Sequence, residues 1–423
     1  CDSKPYWVGW GRSMKNISEN VEGWKILPEK WNFDRMKDIS EINAVSLGRQ
    51  TLDDHEFRYL EISNVNYQGI ISEDAIERIN FGDAPSRARR KIKFGDVAIS
   101  SVRPNLQAIA HVNTKFEGEL ICSTGFNVVT TRSKLSGRFL YYFVLSEGNR
   151  QFFESVAKGV GYPAIDDKDF EKTMIPLPPI PEQKRIAAYL DASCAALDRA
   201  VETKQKQLET LDALRKSIIQ NAVTQGLDTN VKMKDSGVDW LGKVPEHWKL
   251  RKFKRIASLH YGDSLSVDSR KNGTVKVFGS NGVVGNHCVA NHLSPCIIVG
   301  RKGSQGKITF SLDAPFVIDT AYGIDSSQCN NNLRWVFYAL SSSPIDEKMR
   351  DSPVPGLARR DAYSIGLALP PLEEQKQISA FLDKKMNELR ELSDNLSKQI
   401  TTLTQYRKSL IHECVTGERR ISV

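Results

Sequence analysis

The sequence predicts an α+β protein written as a pseudo-two-fold tandem repeat: two α/β domains separated by two long helices that pair as an antiparallel coiled coil. Three observations predict it. A fifteen-residue motif occurs twice, each copy opens a stretch of heptad-spaced apolar residues, and the regions between carry short β-type runs without long helical periodicity.

Residues 1–20 form an extension whose Trp7 and Trp10 match nothing later in the chain. The first variable domain, 21–176, opens on Val21-Glu22, Pro28-Glu29 and Trp31, which recur 217 residues on as Val238-Asp239, Pro245-Glu246 and Trp248. Within it Asp96-Val97-Ala98-Ile99-Ser100 and Phe126-Asn127-Val128-Val129-Thr130 read as strands, and Phe139 to Leu145 as an aromatic helix. The run from Leu177 to Asp191, LPPIPEQKRIAAYLD, then starts a long helix assigned to 177–226. Its prolines mark a helix start, and Glu182 in the first turn suits the positive end of the helix dipole. A linker, 227–244, leads to the second variable domain, 245–368, with a strand at Cys296-Ile297-Ile298-Val299 and an aromatic helix from Leu333 to Leu340. The motif returns from Leu369 to Asp383 as LPPLEEQKQISAFLD, 192 residues after its first copy, and opens the second helix, 369–423. The same spacing holds at Arg215-Lys216-Ser217 against Arg407-Lys408-Ser409. The fall from 217 to 192 means that the variable domains differ in length, whereas the helices do not.

One heptad position holds Leu190, Leu197, Leu211 and Ile218 in the first helix and Leu382, Leu389, Leu396, Leu403 and Leu410 in the second; Lys204 interrupts the first series. The companion position includes Val201, Leu208 and Ile400. Two helices that share register, length and sequence pair with each other, and equivalent halves related by a two-fold make the pair antiparallel. Some 36 residues at ~1.5 Å each give a rod of roughly 54 Å. Two globular domains on such a rod would act as a molecular ruler.

Composition bounds the function. Hydrophobic residues are 40% and charged residues 26%, and no apolar run reaches the ~18 residues of a membrane helix. Seven scattered cysteines, an odd number, favour reduced thiols and a cytoplasmic location over a disulfide framework. The net charge of +8 suits a polyanionic partner. Candidate DNA contacts follow from residue chemistry, because Arg, Asn and Gln on loops can bond base edges or phosphates. Arg103, Asn105 and Gln107 follow one strand; Arg301, Lys302, Ser304, Gln305 and Lys307 follow another, with Arg103 and Gln107 198 residues from Arg301 and Gln305. Asn64 and Asn281 repeat at the 217 spacing. Arg87, Arg89, Arg90 and Lys91 form a basic cluster, and Arg359 with Arg360 another. Each has the plainer reading of a solvated face.

Enzyme motifs are missing. Gly303-Ser304-Gln305-Gly306-Lys307 has the wrong glycine spacing for a phosphate loop, and Ile308 stands where a magnesium-binding hydroxyl should be. No Asn-Pro-Pro-aromatic or Asp-Pro-Pro-aromatic methyltransferase signature occurs. The spacing of His287, Cys288, His292 and Cys296 fits no familiar zinc site.

The tandem organisation, the Leu-Pro-Pro…Glu-Gln-Lys…Leu-Asp motif opening each helix, Pro-Glu-x-Trp at 28–31 and 245–248, and the late Arg-Lys-Ser together resemble the specificity subunit of type I restriction-modification enzymes. The resemblance implies two target recognition domains, each reading half of a bipartite site on double-stranded DNA, with the coil setting the gap. It implies two modification (methyltransferase) subunits docked on the helices, and restriction (endonuclease/translocase) subunits beyond them. No cofactor belongs to this chain: S-adenosylmethionine, ATP and Mg would be used by those partners. The alternatives are a self-contained DNA methyltransferase, which would bind S-adenosylmethionine alone, and a coiled-coil protein scaffold with no duplex affinity.

Overall fold

The computed structural model describes residues 28–421, apart from 67–68, 70, 72–73, 75, 105–107, 160, 162, 304–306 and 346–355. The chain divides into two compact units. One holds the residues up to Thr203 together with those from Gln399 on; the other is Lys204–Lys398.

In the first unit the chain runs β1 (Asn32–Arg35), α1 (Met36–Ile39), β2 (Ser40–Ile42), β3 (Glu56–Leu60), β4 (Arg78–Asn80), β5 (Ala88–Ile92), β6 (Val97–Ser100), β7 (Ile109–His111), β8 (Leu120–Ser123) and β9 (Phe126–Thr131). Helices α2 (Gly137–Leu145), α3 (Glu147–Val156) and α4 (Asp167–Glu171) follow, then β10 (Met174–Leu177) and the long α5 (Ile180–Gln225). Two four-stranded sheets, β2-β9-β6-β7 and β4-β3-β8-β5, face each other. Strand alternation explains why β6 is apolar throughout: Val97 and Ile99 pack towards α2, while Ala98 packs towards the other sheet.

The second unit repeats this plan. It contains β11 (Met233–Asp235), β12 (Lys243–Pro245), β13 (Lys249–Lys252), β14 (His260–Tyr261), β15 (Val275–Gly279), β16 (Gly282–His287), β17 (Cys296–Gly300), β18 (Ile308–Ser311), β19 (Phe316–Val317) and β20 (Ala321–Ile324). After α6 (Leu333–Ser342), α7 (Arg359–Ser364) and β21 (Gly366–Leu369) comes the second long helix, α8 (Leu372–Thr416). Its sheets are β14-β20-β17-β18 and β16-β15-β19. In β17, Ile297 and Val299 pack towards α6, with Cys296 and Ile298 on the other face. The parallel pair β3/β8 matches β15/β19, and among the described residues of these two sheets β5 has no counterpart.

Both sequence spacings meet in one small sheet per unit. β1 pairs with β10 so that Asn32 faces Leu177, and β13 with β21 so that Lys249 faces Leu369. The 217-residue and 192-residue repeats are therefore two strands of the same ribbon, which delivers the chain into each long helix. Gln183 and Gln375 then lock the helix start: each side-chain amide donates to a proline carbonyl, Pro178 at 2.8 Å and Pro370 at 2.9 Å.

The long helices have 46 and 45 residues, about 69 and 68 Å, against the 36 residues counted from heptads. The extra turns bury their apolar residues in the domain cores. In the first unit Leu190 packs with Leu410, Ile411 and Cys414, so the beginning of α5 lies on the end of α8. In the second unit Ala222 and Val223, at the end of α5, share a core with Ile378 and Leu382, at the start of α8. That is antiparallel pairing, observed in each unit separately. Leu197, Val201, Leu208, Leu211, Ile218, Leu389, Leu396, Ile400 and Leu403 are half-buried, as expected where a helix has one neighbour. Arg407 forms an ion pair with Asp198 at 3.0 Å. No helix among the described residues is long and apolar enough to cross a membrane, and all six described cysteines are free thiols.

Candidate nucleic-acid interface

The loops that follow β6 and β17 are fastened by the same main-chain contacts. In the first unit the Ser101 N–H donates to the Gly125 carbonyl at 2.8 Å, the Ile165 N–H donates to Ser101 O at 2.8 Å, and Val102 bridges Ala164. In the second, the Arg301 N–H donates to Thr320 O at 2.9 Å, the Leu357 N–H donates to Arg301 O at 2.8 Å, and Lys302 bridges Gly356. The backbone counterpart of Arg301 is thus Ser101. Arg103, which the 198-residue spacing paired with Arg301, stands two residues further along its loop. It is exposed and held at φ +50°, with its N–H donating to Pro163 O at 2.7 Å. A side chain in the left-handed region is strained, and such strain collects where a ligand is met.

In the second unit the charged residues converge on an aromatic ring. The guanidinium carbons of Arg359 and Arg301 lie 4.1 and 4.8 Å from the ring centroid of Tyr261, which is 48% exposed. Tyr322 packs beside it, 5.0 Å between centroids, and its hydroxyl donates to Leu357 O at 2.9 Å. Burial pushes the Tyr322 phenol up to about 12, so it stays a neutral donor. Arg301 Nη1 donates to Asp319 O at 3.2 Å, and the buried Arg359 Nε has no partner among the described residues. Lys302 N–H donates to Ser280 Oγ at 3.1 Å, and Lys307 Nζ donates to the Asn281 carbonyl at 2.9 Å. Arg301 and Arg359 thereby meet on Tyr261, while Lys302 and Lys307 tie their loop to Ser280 and Asn281. Arg360 follows on α7, exposed beside Asp361. Among the described residues neither Arg301 nor Arg359 has a carboxylate partner, so an incoming phosphate or base edge would meet two uncompensated cations stacked on a ring. Tyr261 was not legible as a candidate: its two-residue strand has no periodicity to mark it.

The first unit disperses its basic cluster, because alternate residues of β5 point to opposite faces. Arg87 pairs with Glu61 at 2.6 Å, which raises its already high pKa. Arg89 lies over the Phe81 ring at 4.4 Å. Arg90 turns inward and donates to Phe126 O and to Asn127 Oδ1, with burial lowering its pKa. Lys91 pairs with Glu119. Within this cluster Arg90 therefore braces strands, and Arg87 and Lys91 carry local counter-charges. The Asn64 amide oxygen accepts the Glu61 N–H at 2.7 Å and closes a short helical turn. Asn105, Gln107, Ser304 and Gln305 lie outside the described residues.

His287, Cys288, His292 and Cys296 do not converge. His287 Nδ1 accepts the Lys271 N–H at 3.0 Å, His292 shares a hydrogen bond with Asn291 at 2.9 Å, and Cys296 is buried in β17 with its thiol pushed up to about 12. Among the described residues no three His, Cys, Asp or Glu side chains are grouped to hold a metal.

Comparison with known proteins places this architecture. The family model of the type I restriction modification DNA specificity domain matches residues 28–211 and 245–402. A putative type I restriction enzyme MjaX specificity subunit of Methanocaldococcus jannaschii is 24% identical over 93% of this chain and 95% of its own. The MjaVIII specificity subunit of the same organism is 25% identical over 67% of this chain and 70% of its own. Among solved structures, a chain from work on complex assembly and conformational transition of the type I R-M system is similar with a TM-score of 0.76 and 21% identity, covering 93% of this chain and all (100%) of that one. The HsdS subunit from Thermoanaerobacter tengcongensis is similar at 0.55 and 22% identity, covering 94% and 99%.

Proposed function

The chain belongs to the type I restriction-modification DNA specificity family, and from that premise we propose that its two units read the two halves of a bipartite site on double-stranded DNA. Its role is recognition rather than catalysis. Two modification subunits dock on the long helices and methylate adenine at N6, with restriction subunits joining them; S-adenosylmethionine, ATP and Mg are held by those partners. The long helices keep the half-sites at one gap.

The observation that carries the reading is the pair of guanidinium groups on Tyr261, one of them, Arg301, on a loop that the first unit builds with the same backbone contacts. An arginine stacked on a ring loses little freedom when it bonds a base edge bidentately. In the first unit Arg103 takes the corresponding part from two residues further along.

Co-expression with the modification subunits of the same system, followed by mapping of N6-methyladenine, should return a two-part motif with a fixed gap. Arg301→Ala should weaken binding by roughly 1–3 kcal/mol and relax one half-site; Arg103→Ala should relax the other. An equal loss of affinity on every sequence would make these residues phosphate contacts instead. A self-contained methyltransferase would reveal itself by binding S-adenosylmethionine without partners.

A further inference from the structure

The repeated motif ends on an aspartate, Asp191 and Asp383, that DNA reading leaves unexplained. In each unit this carboxylate lies on a long helix and faces the aromatic helix of the recognition domain. Arg138 Nε donates to Asp191 Oδ1 at 2.7 Å, and the Tyr142 hydroxyl donates to the same oxygen at 2.7 Å. Arg334 Nε donates to Asp383 Oδ1 at 2.6 Å, and the Tyr338 hydroxyl donates to that oxygen at 2.6 Å. Each guanidinium also stacks on the aromatic residues of its own helix, Arg138 at 4.5 Å from Tyr141 and Arg334 at 5.3 Å from Phe337. Aligned by these contacts, Gly137–Leu145 and the nine residues from Leu333 share only two identities, the arginine and the tyrosine. Several other pairs keep only their apolar or aromatic character, such as Phe139 with Trp335 and Leu140 with Val336, whereas the two groups that reach the aspartate are unchanged.

Stability alone does not account for this. The arginines and aspartates are 30–44% exposed, where ion pairs contribute little, while the two tyrosines are buried beside them. Two donors from successive helical turns meeting one oxygen do, however, restrict both the angle and the axial position of one helix on another. Gln183 and Gln375 add a second anchor near the start of the long helix: their side-chain oxygens accept the N–H groups of Ser136 and Asn332 at 2.8 and 2.9 Å, just before each aromatic helix.

We infer that Arg138–Tyr142–Asp191 and Arg334–Tyr338–Asp383 are positioning locks that set each recognition domain at one angle on the long helices and thereby hold the gap between half-sites to a single length. The inference rests on the bipartite-reading function proposed above. None of the six side chains needs to touch DNA.

The test uses the full assembly with modification subunits, carrying either Tyr142→Phe with Tyr338→Phe or Asp191→Asn with Asp383→Asn, and maps N6-methyladenine across a genome. Both half-site sequences should stay as in the wild type, while the share of methylated sites with a gap one base pair longer or shorter rises roughly tenfold. An unchanged gap in the tyrosine variant overturns the proposal, as do altered half-site sequences; if the aspartate variant fails to assemble, the tyrosine variant decides. A wild-type assembly that yields no two-part motif overturns the underlying reading instead, which separates the two failures.

Discussion

His111 ends β7 against the beginning of α2, where burial and then the nearby Arg138 charge lower its pKa from 6.5 to about 4. The folded protein takes up this proton only near pH 4, whereas the unfolded chain takes it up near 6.5. Stability is therefore complete above 6.5 and drains away as the pH falls towards 4. Replacing the imidazole with an amide in His111→Gln should flatten this segment of the pH profile, measured as denaturant midpoints of both proteins at pH 7.5, 6 and 5. Parallel profiles would show that His111 is not the source. At this scale the sequence was readable only in part. Arg301 announced itself as a basic residue after a buried strand. Its partner Tyr261 and the inward turn of Arg90 depend on neighbours far along the chain: Arg359 for the ring, Phe126 and Asn127 for the guanidinium.

The long helices are the elements whose pattern was plainest, since heptad spacing is a local property of the chain. Their ends are also where packing is densest. Leu190 and Leu382 are fully buried at 0% exposure, and truncating either to alanine should destabilise its unit by about 2–5 kcal/mol. Leu396→Ala, at a half-buried position, should cost clearly less. Denaturant titration of the three variants orders them; equal losses would mean that the domain cores do not hold the helix ends. The heptad-spaced stretch is shorter than the helices because their terminal turns bury Ile186, Ala222 and Val415 in domain cores rather than along the seam, while the spans 177–226 and 369–423 read from the sequence run past the helix ends. Strand β5 was missed for a different reason. Its Ala-Arg-Arg-Lys-Ile reads as a charge run, yet Ala88 and Ile92 are buried and the cations between them go to opposite faces.

For the molecule as a whole, the ruler makes a quantitative claim. Seven residues at ~1.5 Å amount to about 10 Å, about three base pairs of B-DNA. Removing one heptad from the middle of both long helices should shorten the methylated motif's gap by about that much, read from N6-methyladenine maps; a gap that does not change defeats the ruler. By itself the sequence determined the duplication, the two long helices and their antiparallel pairing, because repeats and heptads are written in short-range spacing and a shared register leaves few ways to pair. Only the tertiary structure decided that Ser101, not Arg103, corresponds to Arg301, and that Tyr261, Arg301 and Arg359 meet at one point. Those residues are brought together by strand register, β14 on β20 on β17, and by a bridge to the segment before α7. Pairing between segments distant in the chain is a three-dimensional outcome that no local spacing encodes.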